Sequence, residues 1–254
     1  MDFQIDKIYN EDCLEGMKRI ADGAVDCIIT DLPYGTTACA WDSVIPFEPL
    51  WEQFKRVTKP NAAIVLFGQG MFTSDLMQSN RQMWRYNLIW KKGDTNSGFL
   101  NANRMPLRNH EDIAVFYQEL PTYNPQKREG FEAYDKTKYN GLSPKINNIY
   151  GDYVSDRPKG STMRFPLSVI NISRDWKKQD QLHPTQKPVD LLRYLILTYS
   201  NEGDTILDAT IGSGTTAVAA LMEKRHFIGF ETNKEYFDIA QGRIDQVLRN
   251  PTLF

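Results

Sequence analysis

The chain has 254 residues, 41 % of them hydrophobic, which suits one α/β domain carrying an insertion or a domain plus a small module. Its formal net charge is −2, and no apolar run approaches the roughly 20 residues of a membrane-spanning helix, so a helical membrane protein is excluded. Three cysteines (Cys13, Cys27, Cys39) without metal-ligand spacing, three scattered histidines and an opening Met1-Asp2-Phe3-Gln4 unlike a signal peptide lead to an expectation of reduced thiols, no metal, no membrane partner and a cytoplasmic location.

In chain order, a short helix is predicted around Leu14–Ala21 and a strand over Val25–Leu32. A helix over Phe47–Lys59 and a buried strand over Ala62–Gly68 follow. Tyr86–Trp90 and Glu111–Tyr117 read as further strands. From about Leu120 to Asp180 the text changes to interleaved Asn, Gly, Lys, Tyr and Pro, a candidate inserted module, although Arg164–Ile172 can return to the sheet as a strand. A helix (Val189–Ser200), strand (Asp204–Ala209), glycine turn, helix (Thr215–Lys224), strand (His226–Glu231) and last helix (Lys234–Leu248) complete the chain. The alternation points to a mostly parallel sheet. Charge is unevenly spread: residues 81–108 hold six Lys/Arg against one acid, residues 121–182 eleven against seven, and residues 1–80 six against twelve. Basic charge in the middle suits a phosphate-facing surface as well as an ordinary solvated face.

The segment Thr205–Thr216 carries the clearest local signal. A strand ends at Asp208, Gly212 and Gly214 make a turn, and a helix follows, so backbone can approach a ligand closely at a helix N-terminus. Glu231 ends the next strand, 23 residues after Asp208, where an acid can take both hydroxyls of a ribose. Such a unit binds an adenosine-containing ligand. A dehydrogenase remains open from this half alone, since Ala217 stands where its third glycine would fall.

Asp31-Leu32-Pro33-Tyr34-Gly35 closes the strand that begins at Val25. A carboxylate and a nearby backbone carbonyl can each accept one hydrogen of a base amino group, whose lone pair is otherwise delocalised into the ring. Tyr34 offers a ring face for a base that has left its stack, and Pro33 restrains Leu32 to an extended conformation. A turn-forming acid at a strand end explains the same four residues equally well.

Taken together, these two motifs resemble the amino-methyltransferases of nucleic acid, whose catalytic motif is Asp, Asn or Ser, then Pro-Pro, then an aromatic residue. The catalytic motif near the N-terminus and the glycine motif near the C-terminus resemble the permuted β class, with target recognition between the halves. Tyr9–Leu14, Asn109–Ile113, Arg164–Val169 and His183–Pro188 agree, and the resemblance spans nearly the whole chain. It implies a Rossmann-like methyltransferase fold: a seven-stranded, mostly parallel sheet with one antiparallel strand and helices on both faces. Residues 1–119 and 181–254 would form the catalytic domain and 120–180 an inserted target-recognition region.

The resemblance further implies S-adenosylmethionine as cofactor and adenine N6 in double-stranded DNA as target, with a homodimer as the assembly. Asp31, Leu32, Pro33 and Tyr34 would carry the chemistry. Asp208, Ala209, Thr210, Gly212, Gly214 and Thr215 would surround the methionine part of the cofactor. Glu231 and Thr232 would meet its ribose, Asp12 and Cys13 its adenine, and Thr185 and Lys187 its carboxylate, with Asp31 bordering both sites; Lys187 reads equally well as a surface charge. Two departures stand out: Leu32 replaces the first proline, and Asp208-Ala209-Thr210 replaces Asp-Pro-Phe, losing an aromatic contact. A cytosine-N4 enzyme shares the mechanism, although Ser more often stands at the Asp31 position there. Enzymes of RNA bases or of protein glutamine, and a non-catalytic DNA-binding relative, also share the fold. His110 is expected to be a capping or core histidine, and Trp84, Trp90 and Phe99 core residues.

Overall fold

A computed structural model describes residues 4–36, 42–133, 160–174 and 186–249. Contacts divide the chain into a larger unit, residues 1–124 with 168–254, and a smaller one, residues 125–167. In the larger unit the elements run β1 (Lys7–Tyr9), α1 (Cys13–Met17), β2 (Val25–Thr30), α2 (Phe47–Val57), β3 (Thr58–Gly68), α3 (Met71–Ser79), β4 (Trp84–Lys91) and β5 (His110–Phe116). After the smaller unit come β6 (Val169–Asn171), α4 (Val189–Tyr199), β7 (Thr205–Asp208), α5 (Thr215–Met222), β8 (His226–Phe230) and α6 (Lys234–Arg249).

The strands form one sheet in the order β1-β8-β7-β2-β3-β5-β4-β6, so eight strands stand where seven were expected. Strand β1 has three residues, too few for a period-2 pattern to be visible, whereas β6 falls inside the expected Arg164–Ile172 strand. Only β5 runs antiparallel to its neighbours; every other pairing is parallel. Strand alternation sorts side chains to two cores. Cys27, Ile29, Val65, Val115 and Ile206 face α4, α5 and α6 through Leu195, Ala219 and Ile244. Ile28, Leu66, Phe116, Leu207 and Ile228 face α1, α2 and α3 through Met17, Phe54 and Leu76. Both faces are therefore covered, as a largely parallel sheet requires.

Some local expectations shift. The first helix stops at Met17, short of Ala21, and α2 gives way to β3 at Thr58. Helix α3 follows Gly70 without a side-chain cap, so it carried no start signal in the sequence. Trp90 is fully buried as expected, but Trp84 and Phe99 are exposed and His110 lies exposed at the start of β5 rather than in a core. Cys13 and Cys27 are buried free thiols, whereas Cys39 lies outside the described residues. Among the described residues, no helix is long and apolar enough to cross a membrane.

In the smaller unit Arg128 and Arg164 exchange backbone hydrogen bonds of 2.8 and 2.9 Å. Their guanidinium groups lie 5.0 and 5.3 Å from the Phe131 ring, and the Lys127 ammonium lies 5.5 Å from the ring of exposed Phe165. Three cations interleaved with two aromatic rings thus share one surface cluster.

Two glycines in the cofactor half have opposite local needs. Gly214 has φ +81°, and a β-carbon there would lie 2.9 Å from that of Ala240 on α6. Gly242 sits exposed inside α6 with open space around it. Gly214→Ala is expected to lower stability by about 2–4 kcal/mol through backbone strain and overpacking. Gly242→Ala is expected to raise it by about 1 kcal/mol. Urea unfolding measures both; equal effects of the two would contradict the packing described.

Candidate functional site

Strands β1, β8, β7 and β2 are parallel neighbours, so their carboxyl ends emerge along one edge of the sheet. The loops that follow them converge on one cavity of about 550 Å³, a size suited to a nucleoside-containing ligand. Asp12 and Cys13 reach it from β1, Asp31 to Tyr34 from β2, Asp208 to Gly212 with Thr215 from β7 and α5, and Glu231 with Thr232 from β8. Lys187, just before α4, borders it too. Residues as far apart in the chain as Asp12 and Thr232 are thereby brought together by sheet order. Thr185 lies outside the described residues. Gly214 is not on the cavity wall; its missing side chain serves the approach of α6 described above.

The glycine turn is held by its own acids. Asp208, almost fully buried, accepts from the Thr216 hydroxyl at 2.6 Å and from the Thr210 amide at 3.1 Å. Gly212, at φ +54°, donates its amide to Glu231 Oε2 at 2.9 Å, while Asn233 donates to Oε1 at 2.7 Å. Arg243 reaches from α6 to the Ser213 carbonyl at 2.6 Å and the Thr215 hydroxyl at 3.0 Å. Asp12 Oδ1 caps α1 by accepting from the Leu14 amide at 2.8 Å. Burial pushes the Cys13 thiol up to about 12, and neighbouring Asp12 adds to this, so the sulfur is a neutral wall of the cavity.

Thr210, one of the departures from the family pattern, has a visible use. Its hydroxyl donates to the Asp31 carbonyl at 2.9 Å and lies 3.0 Å from that of Thr30, tying the turn after β7 to the loop after β2. The lost aromatic is replaced by a stitch between the two motifs. Beyond Tyr34 the chain is fixed by Asp42, which accepts from the amides of Gly35 and Thr36 at 2.8 and 2.9 Å.

Asp31 sits in a chain of alternating charges. Its Oδ1 accepts from the Tyr34 hydroxyl at 2.6 Å and its Oδ2 from the Lys187 ammonium at 2.5 Å. Lys187 also lies 3.1 Å from Glu111 Oε2, and Glu111 Oε1 is paired with Lys92. The side chains of Lys92, Lys187 and Glu111 are 10 % exposed or less. Burial raises the Asp31 pKa, against the opposing pull of Lys187, and nearby Glu111 adds to the rise. Burial acts on Glu111 in the same sense, but two ammonium groups outweigh it and hold its carboxyl at about 2. Lys187 is raised above the usual lysine value because two carboxylates outweigh its own desolvation. Its ammonium faces Asp31 and Glu111 at the cavity wall.

Glu111 and Lys92 carry no role in the sequence reading. Strand periodicity could have found them: Glu111 shares a sheet face with the buried Ile113 and Val115, and Lys92 continues the register of buried Trp90. A charged residue at an inward position needs a charged partner. Besides the ring face that Tyr34 offers, its hydroxyl holds Asp31. One side of that ring packs on Phe72, with centroids 4.8 Å apart.

A family profile described as DNA methylase matches residues 25–242. The Type II methyltransferase M.BglII of Bacillus subtilis is 29 % identical over 263 residues, covering 93 % of this chain and 68 % of its own length. The structure of the M1.HpyAVI–SAM complex superposes with a TM-score of 0.64 at 24 % identity, covering 94 % of this chain and 98 % of that one. PvuII DNA methyltransferase, which is cytosine-N4-specific, gives 0.65 at 14 % identity over 96 % and 91 % of the two chains. These last two are likenesses of fold.

Burial lifts the Asp208 carboxyl from 3.8 to about 6, despite the hydrogen bonds it accepts. A folded-state value above the unfolded one favours the fold below about pH 4 and loses that advantage as the pH rises through 6. Relative to Asp208→Asn, the parental chain should therefore lose stability between pH 3 and 7, by on the order of 3 kcal/mol. Urea unfolding at several pH values tests this; a difference that stays constant would contradict it.

Proposed function

The chain belongs to the DNA methylase family whose profile spans residues 25–242, and on that premise we propose that it methylates the N6 amino group of adenine at a defined sequence in duplex DNA, using S-adenosylmethionine. The observation that carries the reading is the convergence of Asp31 and Tyr34 with the Asp208–Gly212 turn and Glu231 on one cavity. The permuted order of the two motifs supports assignment to the β class.

The residues present fit the cofactor. Glu231 keeps a second acceptor direction on each oxygen for a ribose diol, after its bonds from Gly212 and Asn233. Asp12 and Cys13 lie where the adenine would rest, and the Asp208–Gly212 turn would flank the methionine part. When bound, S-adenosylmethionine supplies an electrophilic methyl group on a sulfonium.

The chain's own residues prepare the acceptor. A base inside the duplex is out of reach, so it must rotate out into the cavity, where Tyr34 can stack on it. Asp31 and the Leu32 carbonyl would each accept one amino hydrogen. Those two bonds favour a pyramidal nitrogen and return its lone pair from the ring toward the methyl group. An acceptor placed in this way acts in the transition state more than in binding. Asp at position 31, where cytosine-N4 enzymes more often carry Ser, supports adenine as the target.

Target recognition is proposed for the smaller unit and the segments beside it, residues 120–180. The Lys127, Arg128 and Arg164 cluster offers phosphate contacts and aromatic surface, while sequence itself would be read by groove contacts. Replacing Arg128 and Arg164 together by Ala should weaken duplex binding and reduce the slope of log affinity against log salt by about 2. An unchanged slope would place the phosphate contacts elsewhere.

Asp31→Ala should bind S-adenosylmethionine as the parental chain does and lose methyl transfer by on the order of a hundredfold or more. Lys187 remains paired with Glu111 in that variant, which favours its folding. Tyr34→Phe should fall about tenfold, since it keeps the ring but releases Asp31 Oδ1. Tyr34→Ala should fall further and bind the flipped base less well. Tritiated methyl transfer to duplex DNA reads the rates, and calorimetry reads cofactor affinity. An Asp31→Ala chain transferring methyl at the parental rate would overturn the assignment.

A further inference from the structure

Asp31 has to offer an oxygen to the target amino group, yet each of its oxygens already accepts one hydrogen bond, from Tyr34 or from Lys187, and the ammonium on Oδ2 draws the charge that would hold an amino hydrogen there. The Lys187 ammonium is the movable donor, being the end of a flexible stem. Its surroundings give it one other place to go. Glu111 Oε2 lies 3.1 Å from the same nitrogen, within ion-pair distance. That oxygen is buried and, among the described residues, receives no directed hydrogen bond. The Phe67 ring, 5.0 Å from the ammonium, walls it in beside the two carboxylates.

We propose that Glu111 is a positioning residue for methyl transfer: it takes the Lys187 ammonium from Asp31 as the target amino group enters, so that Asp31 Oδ2 meets an amino hydrogen with its charge no longer drawn by the ammonium. The inference rests on the reading of Asp31 given above. No proton moves in the hand-over, and Lys187 stays an ammonium throughout. The cation travels between two acceptors that it already touches, one buried and one half-buried, so it never faces the cavity wall unpaired. Lys92 fixes Glu111 from its other oxygen and keeps it charged, which makes the second acceptor permanent. With Glu111 absent, Lys187 has no alternative anion and remains on Asp31, competing with the base.

Glu111→Gln keeps the shape and removes the charge. The expected result is a single-turnover methyl-transfer rate lowered about tenfold or more, with S-adenosylmethionine affinity within twofold of parental. A second signature follows from the charges around Lys187. Asp31 and Glu111 both raise its pKa, so losing Glu111 lowers it. The other groups in the cluster are Tyr34, raised well above its usual value and so protonated, Asp208 beside Asp31, and Lys92 with Arg174 beside it. In Glu111→Gln the rate should therefore climb toward alkaline pH as Lys187 deprotonates and releases Asp31, a climb that the parental chain lacks. If Lys92 left without its partner impairs folding, Lys92→Met combined with Glu111→Gln removes both charges and should show the same fall and the same climb. An active parental chain whose rate and pH profile ignore these substitutions would overturn the hand-over alone. Loss of cofactor affinity in step with rate would overturn it too. A parental chain inert on all duplex DNA would overturn the reading of the site, and the hand-over with it.

Discussion

The site depends on β2 and β7 lying side by side and parallel. Cys27 pairs with Ile206 and Ile28 with Leu207, so the two strands end at the same level of the sheet. Parallel neighbours at this point leave a crevice beyond their carboxyl ends, and each strand delivers an acid to it. Asp31 arrives from one and Asp208 from the other. The Thr210 hydroxyl on the Asp31 carbonyl then ties the two loops so that neither acid moves independently. The glycine turn and the loop after β2 are one structure made from opposite ends of the chain.

The cost of this arrangement is concentrated charge in a buried place. Asp208 meets it with hydroxyl and amide donors and has no cation, which leaves its carboxyl shifted toward the neutral form. Asp31 and Glu111 meet it with Lys187 and Lys92, in an alternation that sums to zero formal charge. Such groups lose several kcal/mol of hydration each, and only the mutual pairing offsets it. A network of that kind is an expensive way to stabilise a fold. It is better explained by the chemistry next to it, where one member has to be available as an acceptor on demand.

Much of the architecture was legible because period-2 and helix-period segments alternate strongly from Val25 onward, and most element ends moved by no more than two residues. The first helix is an exception, stopping at Met17 well before Ala21. The candidate cavity residues were found as two motifs, each ending a strand, and parallel sheet order explains why they meet. Lys92 and Glu111 were hidden because each looks like an ordinary surface charge until strand register turns it inward. Thr210 looked like a loss, since the family pattern supplies an aromatic and a sequence does not show where a hydroxyl points. Trp84 and Phe99 are assigned to the core on residue type, but Trp84 opens an edge-side strand and Phe99 a short 3-10 helix, and both are exposed among the described residues. The short strand β1 gains its identity from its neighbour rather than from its own three residues, while β6 lies within the Arg164–Ile172 stretch that reads as a returning strand.

The central claim is that Asp31 directs methyl transfer to the amino group of a base in DNA. The most direct test is to map methylated bases in DNA from cells that lack other methyltransferases and express either the parental chain or Asp31→Ala. The account predicts N6-methyladenine at one recurring sequence with the parental chain and none with the variant. Methyl groups on cytosine would contradict the adenine assignment, and marks that persist in Asp31→Ala would contradict the catalytic role itself.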